Sequence, residues 1–186
     1  MIAPSSPSGP VDVLARILAQ GLTGTLGQQI VVENRAGAAG QIGAELVAKS
    51  APDGYTLLLG FSGPLAISPN MNEKTPYDSL RDFVPVLQVA AAPYVLLVHP
   101  TVPVKSVKEL VALARSRPGK MNFASGGNGT GLHMAGELLN FTASIKIVHV
   151  PYKGAGPGII AMMGGEVDMM FNGVAAALPH IKSGKV

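Results

Sequence analysis

Apolar residues recur along this chain in two alternating periods. After Pro10, Val11, Leu14, Ile17, Leu18 and Leu22 fall at the spacing of one helix face, and Gly27 closes the stretch. That pattern predicts a first helix opening at Pro10. Gln29 to Glu33 (QIVVE) reads as a strand and Gln41 to Lys49 as a second helix, closed by the turn signal Pro52-Asp53-Gly54. Thr56 to Gly60 (TLLLG) is the next strand. Val84 to Ala90 and Tyr94 to His99 are predicted as two further strands around an Ala-Ala-Pro break, carrying the chain from one lobe to another.

From Pro100 the alternation restarts. Ser106 to Arg117 is predicted as a helix, with Ser106 and Glu109 at capping-box spacing and Pro118-Gly119 as its stop. Strand Asn122–Ala124, a glycine loop, helix Leu132–Phe141, strand Lys146–Val150, helix Pro157–Met163, strand Asp168–Phe171 and a last helix through Ile181 follow. Such βαβα order implies α/β architecture, with mainly parallel sheets covered by helices. Only Met1-Ile2-Ala3 precedes the first loop, and another strand would be due after the last helix, so the expectation is a fold incomplete at both ends. The predicted division is a partial first lobe over residues 1–98, lacking its first strand, and a second lobe over residues 99–186.

Composition narrows the function classes. Of 186 residues, 47% are apolar and 13% charged, which excludes disorder. The net charge of +3 comes from scattered Lys and Arg, and 5% aromatic residues with no Trp leave little for base stacking, so nucleic acid is not an expected partner. The absence of Cys excludes disulfides, Cys-based zinc sites and thiol catalysis. No run of eighteen apolar residues offers a membrane span. Met1-Ile2-Ala3-Pro4 shows neither the charged n-region nor the long apolar stretch of a leader, which fits a cytoplasmic protein or one whose leader has been removed.

In an α/β sheet, ligands gather where strand ends lead into helix N-termini with free N–H groups. The loops expected there are small and polar: Ser5-Ser6-Pro7-Ser8-Gly9, Ser62-Gly63, Ser125 to Gly131 (SGGNGTG), Lys153-Gly154-Ala155-Gly156 and Asn172-Gly173. Glycines let amides approach a ligand and hydroxyls add neutral donors, a set suited to a small anion. For any one loop, tight turn-making is the competing account. A Walker loop is absent, because Lys120 and Lys185 follow Gly but precede Met121 and Val186. Glu33 ends a predicted strand, yet Gly9 stands alone where a dinucleotide fingerprint needs three glycines. Gly60-Phe61-Ser62-Gly63-Pro64 lacks the last Gly of a hydrolase elbow. His99, His133, His149 and His180 show no i, i+4 pair or clustered carboxylate, so no metal site is expected, and each reads as a helix-face or strand-end residue. Asp12 reads as the cap of the first helix, with ligand contact as the alternative. Met162, Met163, Met169 and Met170 read as core.

Several stretches together carry a resemblance: Val31 to Gly37 (VVENRAG), Ala48 to Leu58 (AKSAPDGYTLL), Ser125 to Thr130 (SGGNGT), His149 to Gly154 (HVPYKG) and Leu178 to Ile181 (LPHI). In order and spacing the chain resembles the substrate-binding proteins of tripartite tricarboxylate transporters, the Bug (Bordetella uptake gene) family. The resemblance implies a two-lobed Venus-flytrap periplasmic binding protein, here without the segment that returns to the first lobe. It further implies a monomer that catalyses nothing, needs no cofactor, and serves transporter membrane subunits. Carried over residue by residue, it nominates Ser6, Ser8 and Gly9 of the first loop, Ser62, and Ser125, Asn128 and Thr130 of the glycine loop as holding a small di- or tricarboxylate-like anion. Asn172 joins them from the last loop. Pro4 to Gly9 is more polar than the family's first loop, and Asn172-Gly173 stands where many members have Asp-Asn. Without an acid to hold an amino group, non-amino carboxylates are favoured. An α/β enzyme using the same loops for an anion or nucleotide is the alternative.

Overall fold

The computed structural model describes residues 1–71, 74–91 and 93–186. Strand β1 (Ile2–Ala3) leads through the first loop into α1 (Pro10–Leu26). Pro at the first helical position and Gly27 in the left-handed region at its end (φ 64°) set the limits of α1 as expected. β2 (Glu33–Asn34) pairs parallel to β1, and Leu58 bridges Ile2 from the other side. The strand expected to be missing before α1 is therefore present as Ile2–Ala3, 5% and 0% exposed between two neighbours. Regular pairing is shorter than the apolar runs predicted. From Gln29 to Glu33 only Glu33 enters the ladder, and from Thr56 to Gly60 only Leu58 does.

α2 (Gln41–Ala48) follows, then a π-helical stretch, Gly63–Ile67, that continues into the short α3 (Ser68–Met71). Residues 84–90, predicted as a strand, join no ladder. Pro85 has no N–H to give, and Val84, Val86 and Leu87 are 90%, 77% and 70% exposed, so no second sheet face collects them. The Ala-Ala-Pro break includes Ala92, which lies outside the described residues.

The second sheet has the order β3-β6-β4-β5, formed by β3 (Tyr94–Val98), β4 (Asn122–Ser125), β5 (Val148–Pro151) and β6 (Met169–Gly173). β4 runs parallel to both β5 and β6, while β3 runs antiparallel to β6. Since Tyr94 already pairs with Gly173, β3, predicted in the first lobe, belongs to the second sheet. The helices α4 (Val107–Ser116), α5 (Gly131–Ala143) and α6 (Ala155–Met163) connect these strands, and α7 (Val174–Lys182) follows β6. At α4 the Ser106 hydroxyl accepts the Glu109 N–H at 3.2 Å, and Glu109 Oε2 accepts the Lys105 N–H, one residue earlier than a strict capping box.

Each face of the second sheet has its own core. Leu97, Leu132, Ile159, Met162 and Met170 pack on one side, and Leu110, Met121, Phe123, Ile147 and Met169 on the other. Met162, Met169 and Met170 are fully buried, whereas Met163 is only partly so. The first sheet closes on a smaller cluster of Ala3, Ala15 and Leu59. No described helix is long and apolar enough to cross a membrane.

Candidate functional site

A cleft of about 410 Å³ opens where the first loop, the start of the π-helical stretch and the glycine loop face one another. The first turns of α1, α5 and α6 all reach it, through Val11, Gly131, Leu132 and Ala155. First-turn amides have no intrahelical acceptor, and the N-terminal end of a helix dipole is positive, so these groups suit an anion. Ser5, Ser62 and Tyr94 add hydroxyls, while that of Thr130 is taken up within the glycine loop and the start of α5. The remaining wall is mainly apolar, chiefly Leu14, Leu59, Phe61 and Leu132, with the neutral carboxamide of Gln88, and among the described residues no Lys, Arg, Asp, Glu or His lines the cleft.

The nominated residues divide. Gly9, Ser62 and Thr130 line the cleft. Ser6 is 5% exposed behind it, its hydroxyl accepting the Gly156 N–H at 3.3 Å and so tying the first loop to the start of α6. Ser8 is exposed, with left-handed backbone (φ 63°), and its N–H donates to Asp12 Oδ2 at 2.9 Å. Asn128 is exposed and stands outside the cleft lining. Asn172 is 1% exposed within β6, where its own Oδ1 accepts the Gly173 N–H at 2.9 Å. Ser125, at 0% exposure, lies beneath the glycine loop.

Asp12 acts as the structural clamp of the first loop. Its carboxylate accepts from Ser8 N–H, from Arg16 and from Asn34 Nδ2, the last at 2.8 Å, and Asn34 also donates to the Ser5 carbonyl. Burial opposes its ionisation, but the hydrogen bonds from Arg16, Asn34 and Ser8 outweigh it and hold the carboxyl below its usual range.

The glycine loop is held as firmly. Thr130, the N-cap of α5, accepts the His133 N–H at 3.3 Å and donates to the Gly127 carbonyl at 2.8 Å. Ser125 Oγ accepts the Gly127 N–H at 3.0 Å and lies 2.6 Å from His149 Nε2. A serine beside a histidine invites comparison with a nucleophile and base. Here the hydroxyl has no exposed surface and is already engaged by Gly127, so no substrate carbonyl can reach it.

The sequence patterns passed over Phe61 and Tyr94. Burial raises the Tyr94 hydroxyl above its usual pKa, a hydrogen bond with Ser62 opposing, so it stays a donor at neutral pH. It rests against the start of α5, where a Cβ on Gly131 would sit 2.5 Å from its oxygen. Phe61 occupies space that Gly40 and Gly63 leave open, since a Cβ there would approach its ring to 3.0 and 2.5 Å. Glycine opposite an aromatic ring on the facing segment was the available signal, and it is invisible without the fold.

The family described as the tripartite tricarboxylate transporter family receptor matches residues 14–186. Protein BugT of Bordetella pertussis is 43% identical over 187 residues, which cover 100% of this chain and 57% of BugT. Rpa4515 of R. palustris, solved with adipate, has a TM-score of 0.96 at 34% identity, covering 99% of this chain and 62% of that one. MatC from Rhodopseudomonas palustris, solved with bound malate, has a TM-score of 0.91 at 33% identity over 99% of this chain and 63% of that one. The periplasmic binding protein BugD has a TM-score of 0.95 at 32% identity over 100% and 62%. The chain thus spans a little over half the length of BugT and about three fifths of these solved chains.

Proposed function

This chain belongs to the tripartite tricarboxylate transporter receptor family, a family of solute-binding receptors and not of enzymes, and from that premise we propose that it captures a small carboxylate in the cleft between its two lobes. One observation carries the reading. The first turns of three helices and neutral hydroxyls meet at a cleft whose described lining holds no charged side chain. An anion placed there meets positive dipole ends and N–H donors, while an ammonium group meets no carboxylate. The apolar wall of Leu14, Leu59 and Leu132 suits the aliphatic part of a non-amino di- or tricarboxylate. Residues before Tyr94 form the first lobe and those from Tyr94 onward the second, and closure of the lobes encloses the ligand. In this reading the receptor works in the periplasm and hands its ligand to transporter membrane subunits. Adipate with Rpa4515 and malate with MatC give the first carboxylates to try.

The test is a thermal-shift panel of adipate, malate, succinate, citrate and glutamate. At a hundredfold excess over its dissociation constant, a bound carboxylate adds about 2.7 kcal/mol of stability. For a chain of this length that raises the melting temperature by about 5–10 °C. A response to none of the acids, or conversion of any of them, refutes the proposal.

A further inference from the structure

Beneath the glycine loop lies a histidine pair that the cleft lining does not include. Parallel pairing of β4 and β5 sets Phe123 opposite His149, and α5 begins directly after the loop, bringing His133 over the same spot. The His149 ring stacks on Phe123 at 4.9 Å and on His133 at 4.0 Å. The two imidazoles reach different points of the loop. His149 Nε2 lies 2.6 Å from the Ser125 hydroxyl that holds the Gly127 N–H, while His133 Nδ1 accepts the Gly129 N–H at 3.2 Å. Gly127 and Gly129 both have left-handed backbone, with φ of 117° and 78°, and carry no side chain to pack. Hydrogen bonds therefore fix the course of the loop.

The proton positions follow from the donors. Gly129 N–H points at His133 Nδ1, so that nitrogen is unprotonated and the ring proton sits on Nε2, 3.9 Å from Glu137 Oε1. A second proton, on Nδ1, would set two N–H groups face to face. Protonating His149 has a milder effect. Its Nε2–H can donate to Ser125 Oγ, whose own hydrogen turns to the Gly127 carbonyl at 3.2 Å.

We propose that His133, supported by His149, is a positioning residue for the anion site: neutral, it holds the loop from Gly126 to Thr130 so that the α5 N-terminus faces the cleft, and protonated, it releases Gly129. This rests on the reading that the cleft holds a carboxylate. The titratable groups facing the pair are Glu137 on α5 and the histidines themselves, while β4 supplies only the neutral Phe123 and Ser125. Burial lowers His133, with Glu137 opposing, and burial together with His133 pushes His149 down to about 4. Both are thus neutral at pH 7. The hold is complete there and is lost as the pH falls through the lowered value of His133.

Adipate calorimetry on the 186-residue chain between pH 7.5 and 4.5, repeated with malate, reads the effect. His133→Leu removes the acceptor and is expected to weaken binding about five- to tenfold at pH 7.5. His133→Asn places an amide oxygen near Nδ1 and is expected to rescue that loss while abolishing the His133-dependent part of the acid decline. Protonation of adipate is common to both proteins, so their difference isolates the histidine. In the unliganded protein, the Gly129 amide resonance should titrate with the His133 ring in the wild type and stay flat in His133→Asn. An acid decline identical in wild type and His133→Asn, or a Gly129 amide indifferent to His133, overturns the inference. If the wild type binds neither acid at any pH, the carboxylate reading falls, and the amide titration alone decides whether His133 holds the loop.

Discussion

Thr130→Val separates the structural work of the glycine loop from direct ligand contact. Valine keeps the shape of the side chain, which is 6% exposed, and removes only its hydroxyl. Two interactions go with it: the cap on His133 N–H and the bond to the Gly127 carbonyl. A cap contributes about 1 kcal/mol and a second neutral hydrogen bond about as much. The partners are Gly127 in the loop and His133 in the first turn of α5, and the methyl that replaces the hydroxyl returns less than 1 kcal/mol by burial. The expected net loss is about 1–2 kcal/mol, or a melting temperature lower by about 2–8 °C. The one hydroxyl hydrogen already goes to Gly127, so a carboxylate in the cleft is met by amides, and adipate affinity should fall less than tenfold. Thermal unfolding and calorimetry on wild type, Thr130→Val and Thr130→Ser decide between these roles, with serine expected to stay close to wild type in both. An unchanged melting temperature together with a loss of affinity beyond tenfold would refute the reasoning, because the hydroxyl would then serve the ligand and not the loop.

Gly136→Ala on α5 should destabilise by about 1–3 kcal/mol despite the helix preference of alanine, because its Cβ would enter the ring of fully buried Phe123; an unchanged urea midpoint would contradict that packing. Gly154→Ala requires a Cβ at φ 113° against the Ser6 side chain, so carboxylate-induced thermal stabilisation should shrink or vanish, and a wild-type shift would show that Ser6 and Gly154 need not approach. For Asp12 the folded pKa is depressed, so its contribution to stability is full above the ordinary carboxylate range and is lost as pH falls through the lowered value. Asp12→Asn should accordingly flatten the acid limb of stability against pH, and parallel limbs in wild type and mutant would deny Asp12 that role.

The helices were legible because their ends carry local chemistry. Pro10 and Gly27 bound α1, and Ser106 and Glu109 open α4, whatever surrounds them. The strands of the second sheet were legible because each is followed by a helix and the central pair, β4 and β6, is buried, though their ends shifted by one or two residues. Residues 84–90 misled because Val84, Val86 and Val89 have a strand's composition, and pairing depends on a partner that the pattern cannot report. Four of the five loops read from the sequence meet at the cleft and Asn172-Gly173 does not, but the direction of each side chain was not legible. Ser125 and Asn172 point into buried hydrogen bonds, and Ser8 offers its backbone to Asp12. His133 and His149 were read as separate residues because only the packing of α5 against β5 brings their rings together.

A cleft lined by partial charges acts over short distances only. Helix termini and amide dipoles fade within a few ångströms of water, and among the described residues no Lys or Arg lines the cleft. Capture by such a site depends on random encounter, so its association rate should be nearly indifferent to ionic strength. On the proposed function, selectivity is then exerted after arrival, when water leaves and the two lobes close on whichever solute fits. A receptor built this way discriminates by how long a molecule stays and not by how fast it comes.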